Sequence, residues 1–189
     1  MLTLLSESFS LIANQTQNNI WVLSKILLLL WGVFVINGMI SNRLLYLGIR
    51  PRQASGLSGI LFAPFLHANF NHLFFNSIPL IVFANFILIQ GVPVFLHVTA
   101  LIILVSGLLI WCFAVPGLHI GASGVITGYW GYLVAHAYYQ STASTLILAA
   151  VCVVYFAGIL WSIFPGKKHV SWQGHLFGLI AGFGVAYYF

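Results

Sequence analysis

Glu7 is the only acidic residue in this chain, and there is no aspartate. The cations are Lys25, Arg43, Arg50, Arg52, Lys167 and Lys168, so charged residues make up 4% of the sequence and hydrophobic ones 61%. A water-exposed globule needs a mixed, charged surface, about a quarter of its residues, and this chain cannot supply one. It reads as an integral membrane protein. The same scarcity excludes chemistry. Paired-carboxylate glycosidases, intramembrane aspartyl proteases, carboxylate metal centres and H-E-x-x-H zinc proteases all need acids beside the reacting atoms. Six scattered cations make no basic stripe, so nucleic-acid binding is not expected. Cys112 and Cys152 lie in apolar runs and read as free thiols.

The apolar runs are long enough for helices, which need roughly 20 residues to cross hydrocarbon. Six spans are expected, at about Ile20–Ile40, His72–Gln90, Val94–Val115, Gly121–Tyr139, Thr145–Phe164 and Trp172–Phe189. The breaks fall at Gly91-Val92-Pro93, Pro116-Gly117, Gln140–Ser144 and Pro165-Gly166-Lys167-Lys168. Helices follow from the run lengths and from the lack of two-residue alternation that a barrel would require. Residues 1–19 read as a short polar N-terminal segment without the positive start of a signal peptide, and 20–189 as one domain. The connection Ser41–Asn71 mixes Leu57, Ile60, Leu61 and Phe62 with three arginines, which suits short helices lying in the interface.

Polar side chains inside a membrane are costly and therefore candidates for function. His72 and Asn76 open the second span, Ser123 the fourth and His175 the sixth. Alternate spans enter from the same face, so all four residues belong on one side at similar depth. A serine becomes a nucleophile beside a base, and histidine has the right proton affinity. With no acid available for a triad, a Ser–His dyad is the arrangement left. His72 and Asn76, four residues apart, share one helix face and could join the Ser123 backbone N–H around an oxyanion. Gly121, Gly124, Gly128 and Gly131, with Gly174, Gly178 and Gly182, would let the fourth and sixth helices approach closely. Each feature has a plain reading when taken alone. Serine at a helix start is usually an N-cap, spaced glycines report packing, and Asn76 could be interhelical glue. His97 and His136 read as ordinary hydrogen-bonded histidines.

Three segments carry a resemblance to the rhomboid intramembrane serine proteases. They are Phe65-Leu66-His67-Ala68-Asn69-Phe70-Asn71-His72-Leu73-Phe74-Phe75-Asn76, then His119-Ile120-Gly121-Ala122-Ser123-Gly124, then Ser171-Trp172-Gln173-Gly174-His175-Leu176-Phe177-Gly178. The first resembles the family's H-x-x-x-N second helix, the second its G-x-S-G start of the fourth, and the third its histidine helix. The resemblance implies an all-α, six-transmembrane-helix bundle with a long, partly membrane-embedded first loop. It implies Ser123 as nucleophile, His175 as general base, His72 and Asn76 in the oxyanion hole, and Gly121 as supporting backbone. Tyr129, Trp130 and His119 fall at cavity positions without an assigned role. The implied reaction is hydrolysis of a peptide bond in or near a substrate's transmembrane helix. The implied partners are transmembrane protein substrates and the bilayer, with no metal or organic cofactor. The first loop lacks the family's Trp-Arg pair and has Tyr46-Leu47-Gly48-Ile49-Arg50-Pro51-Arg52 in its place.

The compact form is expected of a prokaryotic inner-membrane protein. Arg43, Arg50, Arg52, Lys167 and Lys168 would draw the active-site face to the cytoplasm by the positive-inside rule, whereas the resemblance puts it on the extracytoplasmic side. The expectation here follows the resemblance. Two other functions fit some of the residues. One is a non-catalytic relative that binds transmembrane helices. The other is a metal or proton conductor built on His67, His72, His119, His169 and His175. A subgroup that processes C-terminal sorting tails is also compatible.

Overall fold

The computed structural model describes residues 2–165 and 171–189, all helix, turn and loop except for one isolated bridge. The helices are α1 (Leu2–Met39), α2 (Gly59–Phe62), α3 (Phe70–Leu88), α4 (Val92–Phe113), α5 (Ser123–Gln140), α6 (Ala143–Phe156) and α7 (Trp172–Ala186). Short 3₁₀ turns at Arg43–Leu47, Ala54–Gly56 and Ala63–Phe65 join α1 to α3, and a 3₁₀ stretch, Ala157–Ile163, prolongs α6. Among the described residues four helical segments are long and apolar enough to cross a membrane: α1, α3, α4, and α6 with its 3₁₀ extension. They carry large exposed apolar side chains, such as Leu28, Val154 and Trp161. A contiguous surface of that kind belongs in lipid. The chain is a helical membrane protein.

α5 is different. It packs on α3, α4, α6 and above all α7, and its side chains from Val125 to Leu133 are buried. Its tyrosines can therefore find partners inside the protein: Tyr129 pairs with Thr99 at 2.6 Å, and Tyr132 donates to Gln90 at 2.7 Å. α7 has 15 residues, a length of roughly 22 Å, short of the hydrocarbon thickness.

The contact between α5 and α7 is made by backbone. A Cβ placed on Gly178 would overlap the Gly124 carbonyl and the Thr127 hydroxyl, and one on Gly182 would overlap the Gly128 carbonyl. In the other direction, a Cβ on Gly124 would lie 3.1 Å from the Gly174 oxygen. Such approaches let Cα–H groups face carbonyl oxygens across the interface.

Three boundaries differ from the sequence expectation. α1 begins at Leu2, well before Ile20, because the polar residues of that stretch are used. Asn19 Nδ2 donates to Asn85 Oδ1 at 3.0 Å, and Asn85 Nδ2 donates to Thr16 Oγ1 at 2.8 Å. α5 starts at Ser123, after Gly121 has turned the chain with φ +108°. The expected fifth span tightens to 3₁₀ over Ala157–Ile163 and ends at Phe164, which is extended, as the residue before Pro165 is expected to be. The expected break at Gly166-Lys167-Lys168, and His169, lie outside the described residues.

Residues 40–69 lie over one end of the bundle, pinned at several points. Ile49 and His119 form an antiparallel bridge, with N–H···O distances of 3.0 and 2.9 Å. Arg52 donates through Nη1 to the carbonyls of Ala114 (2.8 Å) and Cys112 (3.1 Å), where α4 ends and acceptors are orphaned. Trp111 Nε1 donates to Gln53 O at 2.9 Å, and the Gly121 N–H to Ala63 O at 2.9 Å. Loop and helix ends are one connected layer.

Candidate active site

The starts of α3, α5 and α7 meet beneath that layer. Ser123 is the first residue of α5, but it is not the cap: Ala122 holds the N-cap position and offers no side-chain bond. The plain reading of this serine as an N-cap is therefore set aside. Ser123 is partly exposed to a cavity of about 40 Å³ that Gly121, Gly124, His119, Ser171 and Gly174 also line, under Ile49 and Ile60 of the overlying segment. A partly polar site of that size can admit water.

Gly121 sits two residues before Ser123, and its conformation has two reasons. Its φ of +108° is one that side-chain-bearing residues rarely adopt. Any Cβ there would also lie 2.6 Å from His72 Nε2 and 3.5 Å from Asn76 Nδ2. Gly121, His72 and Asn76 thus converge beside the serine turn, held on α3 by the Asn69 cap, whose Oδ1 accepts the His72 N–H at 2.9 Å.

His67 fixes this arrangement. Its Nε2 accepts from Asn76 Nδ2 at 3.2 Å and from the Ala122 N–H at 3.4 Å, so the proton is on Nδ1. One asparagine N–H is thereby spoken for, and among the described residues the other has no partner. His67 is 1% exposed, and burial pushes its pKa down to about 4, with neighbouring His72 adding to the effect. It is neutral at pH 7. His119, also lowered by burial, is a second strut. Its Nε2–H donates to Val115 O at 3.1 Å, so its Nδ1 accepts the Ser171 hydroxyl at 2.7 Å. Ser171 in turn caps α7 by accepting the Gly174 N–H at 3.2 Å. Gln173 Oε1 takes the Val115 N–H at 2.9 Å. The loop before Ser123 is thus tied to the first turn of α7.

His175, buried on that turn, directs Nδ1 at the Ser162 carbonyl, 3.0 Å away, on the 3₁₀ extension of α6. Among the described residues no hydrogen bond joins His175 to Ser123. Their neighbours Gly124 and Gly174 belong to the glycine faces that meet, so the two side chains project from adjoining ends of touching helices. Catalytic hydrogen bonds are often open before substrate binds.

The Rhomboid domain family model matches residues 54–189. The chain belongs to the rhomboid family. Relatives include an uncharacterized protein of Mycobacterium tuberculosis, 37% identical over 84% of this chain and 70% of its own length. A Mycobacterium bovis protein matches to the same extent, and one of Mycobacterium leprae is 36% identical over 84% of this chain and 66% of its own. Rhomboids are generally intramembrane serine proteases.

In this rhomboid, the two other described histidines, His97 and His136, lie apart from these bonds. His97 Nδ1 donates to Pro93 O at 2.7 Å, whereas His136 is buried, stacked on Tyr132, with Nδ1 unpartnered among the described residues. Sequence reasoning gave His67 and His119 a place in the quoted segments and in the alternative histidine set, but not as struts of the serine loop, because hydrogen bonds between side chains far apart in sequence leave no spacing signal. It passed over Ser162 entirely.

Proposed function

We propose that this rhomboid is an intramembrane serine endopeptidase that hydrolyses a peptide bond in or near a substrate's transmembrane helix. Ser123 is the nucleophile and His175 the general base. The attacked carbonyl oxygen collects negative charge, and the Ser123 N–H, His72 and the second N–H of Asn76 receive it. His175 then passes the serine's proton to the leaving amine, and a water repeats the sequence to release the acyl group. The observation that carries this reading is the glycine contact between α5 and α7, which sets the starts of the serine and histidine helices side by side under a roofed cavity.

On this reading α1, α3, α4, α5, α6 and α7 form a six-span bundle, with residues 40–69 partly embedded in the interface. The rhomboid domain is residues 20–189. The site faces the extracytoplasmic side of a prokaryotic inner membrane. Arg52 supports that orientation against the positive-inside count: it is engaged in capping α4 and is no free topological signal. Transmembrane proteins are the substrates, and the chemistry as written draws on no metal or organic cofactor.

The test uses protein in liposomes with a model transmembrane substrate. Wild type cleaves; Ser123→Ala and His175→Ala do not. If wild type neither cleaves nor reacts at Ser123 with a fluorophosphonate, the protease reading fails and helix binding without cleavage replaces it.

A further inference from the structure

The Ser162 carbonyl is oddly placed for a helical oxygen. In the 3₁₀ stretch Ala157–Ile163 each carbonyl is offered to the N–H three residues on. For Ser162 that residue is Pro165, which has no N–H. The oxygen is left without its 3₁₀ donor by covalent structure, and it points at His175 Nδ1, 3.0 Å away. A carbonyl only accepts, so the proton must be on Nδ1, and the lone pair of the neutral ring is on Nε2.

We infer that the Ser162 backbone carbonyl, denied its 3₁₀ donor by Pro165, is the positioning group for His175, occupying the role that a carboxylate takes in a triad. This rests on the protease reading above. A base must present a lone pair to the serine hydroxyl, and only the Nδ1–H tautomer presents Nε2. When Nε2 takes the serine proton, the ring becomes an imidazolium whose Nδ1–H is still held by the carbonyl dipole. When Nε2 returns that proton to the leaving amine, the neutral Nδ1–H ring is restored. The carbonyl neither gains nor loses a proton. A chain with one glutamate and no aspartate thus obtains orientation from its backbone. Because the oxygen is carried on the extension of α6, displacement of that segment would also release the base.

The experiment is nitrogen NMR of the full chain, labelled with ¹⁵N-histidine in detergent, with His175→Ala identifying the signal. Wild type is expected to show His175 protonated at Nδ1. Two changes weaken the acceptor without touching His175. Replacing Ile163 by its α-hydroxy acid turns the Ser162 carbonyl into an ester, a poorer acceptor. Pro165→Ala supplies a competing N–H. Both are expected to move His175 toward the Nε2–H tautomer. Both are also expected to lower kcat about 10-fold with KM little changed, as loss of a group that orients a functional histidine does. An Nε2–H ring in wild type overturns the inference. So does an Nδ1–H ring that neither change disturbs. A wild type that shows the Nδ1–H ring but neither cleaves nor labels would refute the protease reading while leaving the positioning bond in place.

Discussion

Gly178→Ala is a severe perturbation for one methyl group. The new Cβ would overlap the Gly124 carbonyl oxygen and lie 2.8 Å from its carbon. Carbon contacts settle at about 3.5–4.0 Å, so the helices must part by roughly 1 Å. The obstacle is backbone and cannot rotate away. Overpacking of this kind costs about 1–3 kcal/mol. The larger consequence falls on geometry. Ser123 stands next to Gly124 on α5, and His175 lies one turn before Gly178 on α7. A misplacement of about 1 Å between reacting groups costs up to about 100-fold in rate. The assay is kcat/KM on a model transmembrane substrate in liposomes, with thermal unfolding in detergent measured in parallel. The control is Gly184→Ala on the same helix, where a Cβ meets nothing within 4 Å. The expected outcome is a loss near 100-fold for Gly178→Ala with a lowered unfolding midpoint, and near wild-type values for Gly184→Ala. If Gly178→Ala keeps wild-type kcat/KM, the backbone contact does not set the distance between the two side chains. A lowered midpoint with undiminished activity would refute the link equally.

Gly121→Ala combines a φ of +108° with a Cβ 2.6 Å from His72 Nε2, so fluorophosphonate labelling of Ser123 should be largely lost, a strain of about 1–3 kcal/mol being placed in the serine turn. His67 titrates near 4 in the folded protein against 6.5 ordinarily, so the unfolded chain takes up its proton first. Its contribution to stability is full above about 6.5 and is lost as pH falls toward 4. His67→Gln, which keeps an acceptor but cannot titrate, should flatten that part of the pH dependence of the unfolding midpoint. Arg52→Ala removes two bonds to carbonyls at the end of α4 and should lower stability by about 1 kcal/mol in thermal unfolding, with wild-type labelling of Ser123 in the folded fraction.

The parts of the fold that follow from local rules were readable in advance. Run length and the Gly91, Pro116 and Pro165 breaks located the apolar helices. The spaced glycines of α5 and α7 announced a close contact, because glycine at four-residue intervals leaves one helix face without side chains. The helix α1 extends beyond the expected span for a physical reason: polar Thr16 and Asn19 look like a water-exposed lead until Asn85, far along the chain, is known to face them. The bracing bonds of His67 and His119, and the Ser162 carbonyl, are not legible in the sequence for the same reason. Each acts through a hydrogen bond that only the packed bundle creates, and a backbone oxygen has no letter in the sequence.

The bonds along α1 also bear on how this helix finds its place. Lipid is as apolar as its leucines, so burial gives little reason for α1 to dock at one height rather than another. The Thr16–Asn85–Asn19 chain near one end and the Trp31 Nε1 bond to Ser77 Oγ (3.2 Å) further along act as two teeth of a key. Sliding by one helical turn would strand donors and acceptors at both places. The Rhomboid match begins at residue 54, after α1 has ended. The register of this helix is thus written in a few polar side chains. Supplied as its own chain, the helix should rejoin the remaining helices at the same depth, provided those teeth are intact.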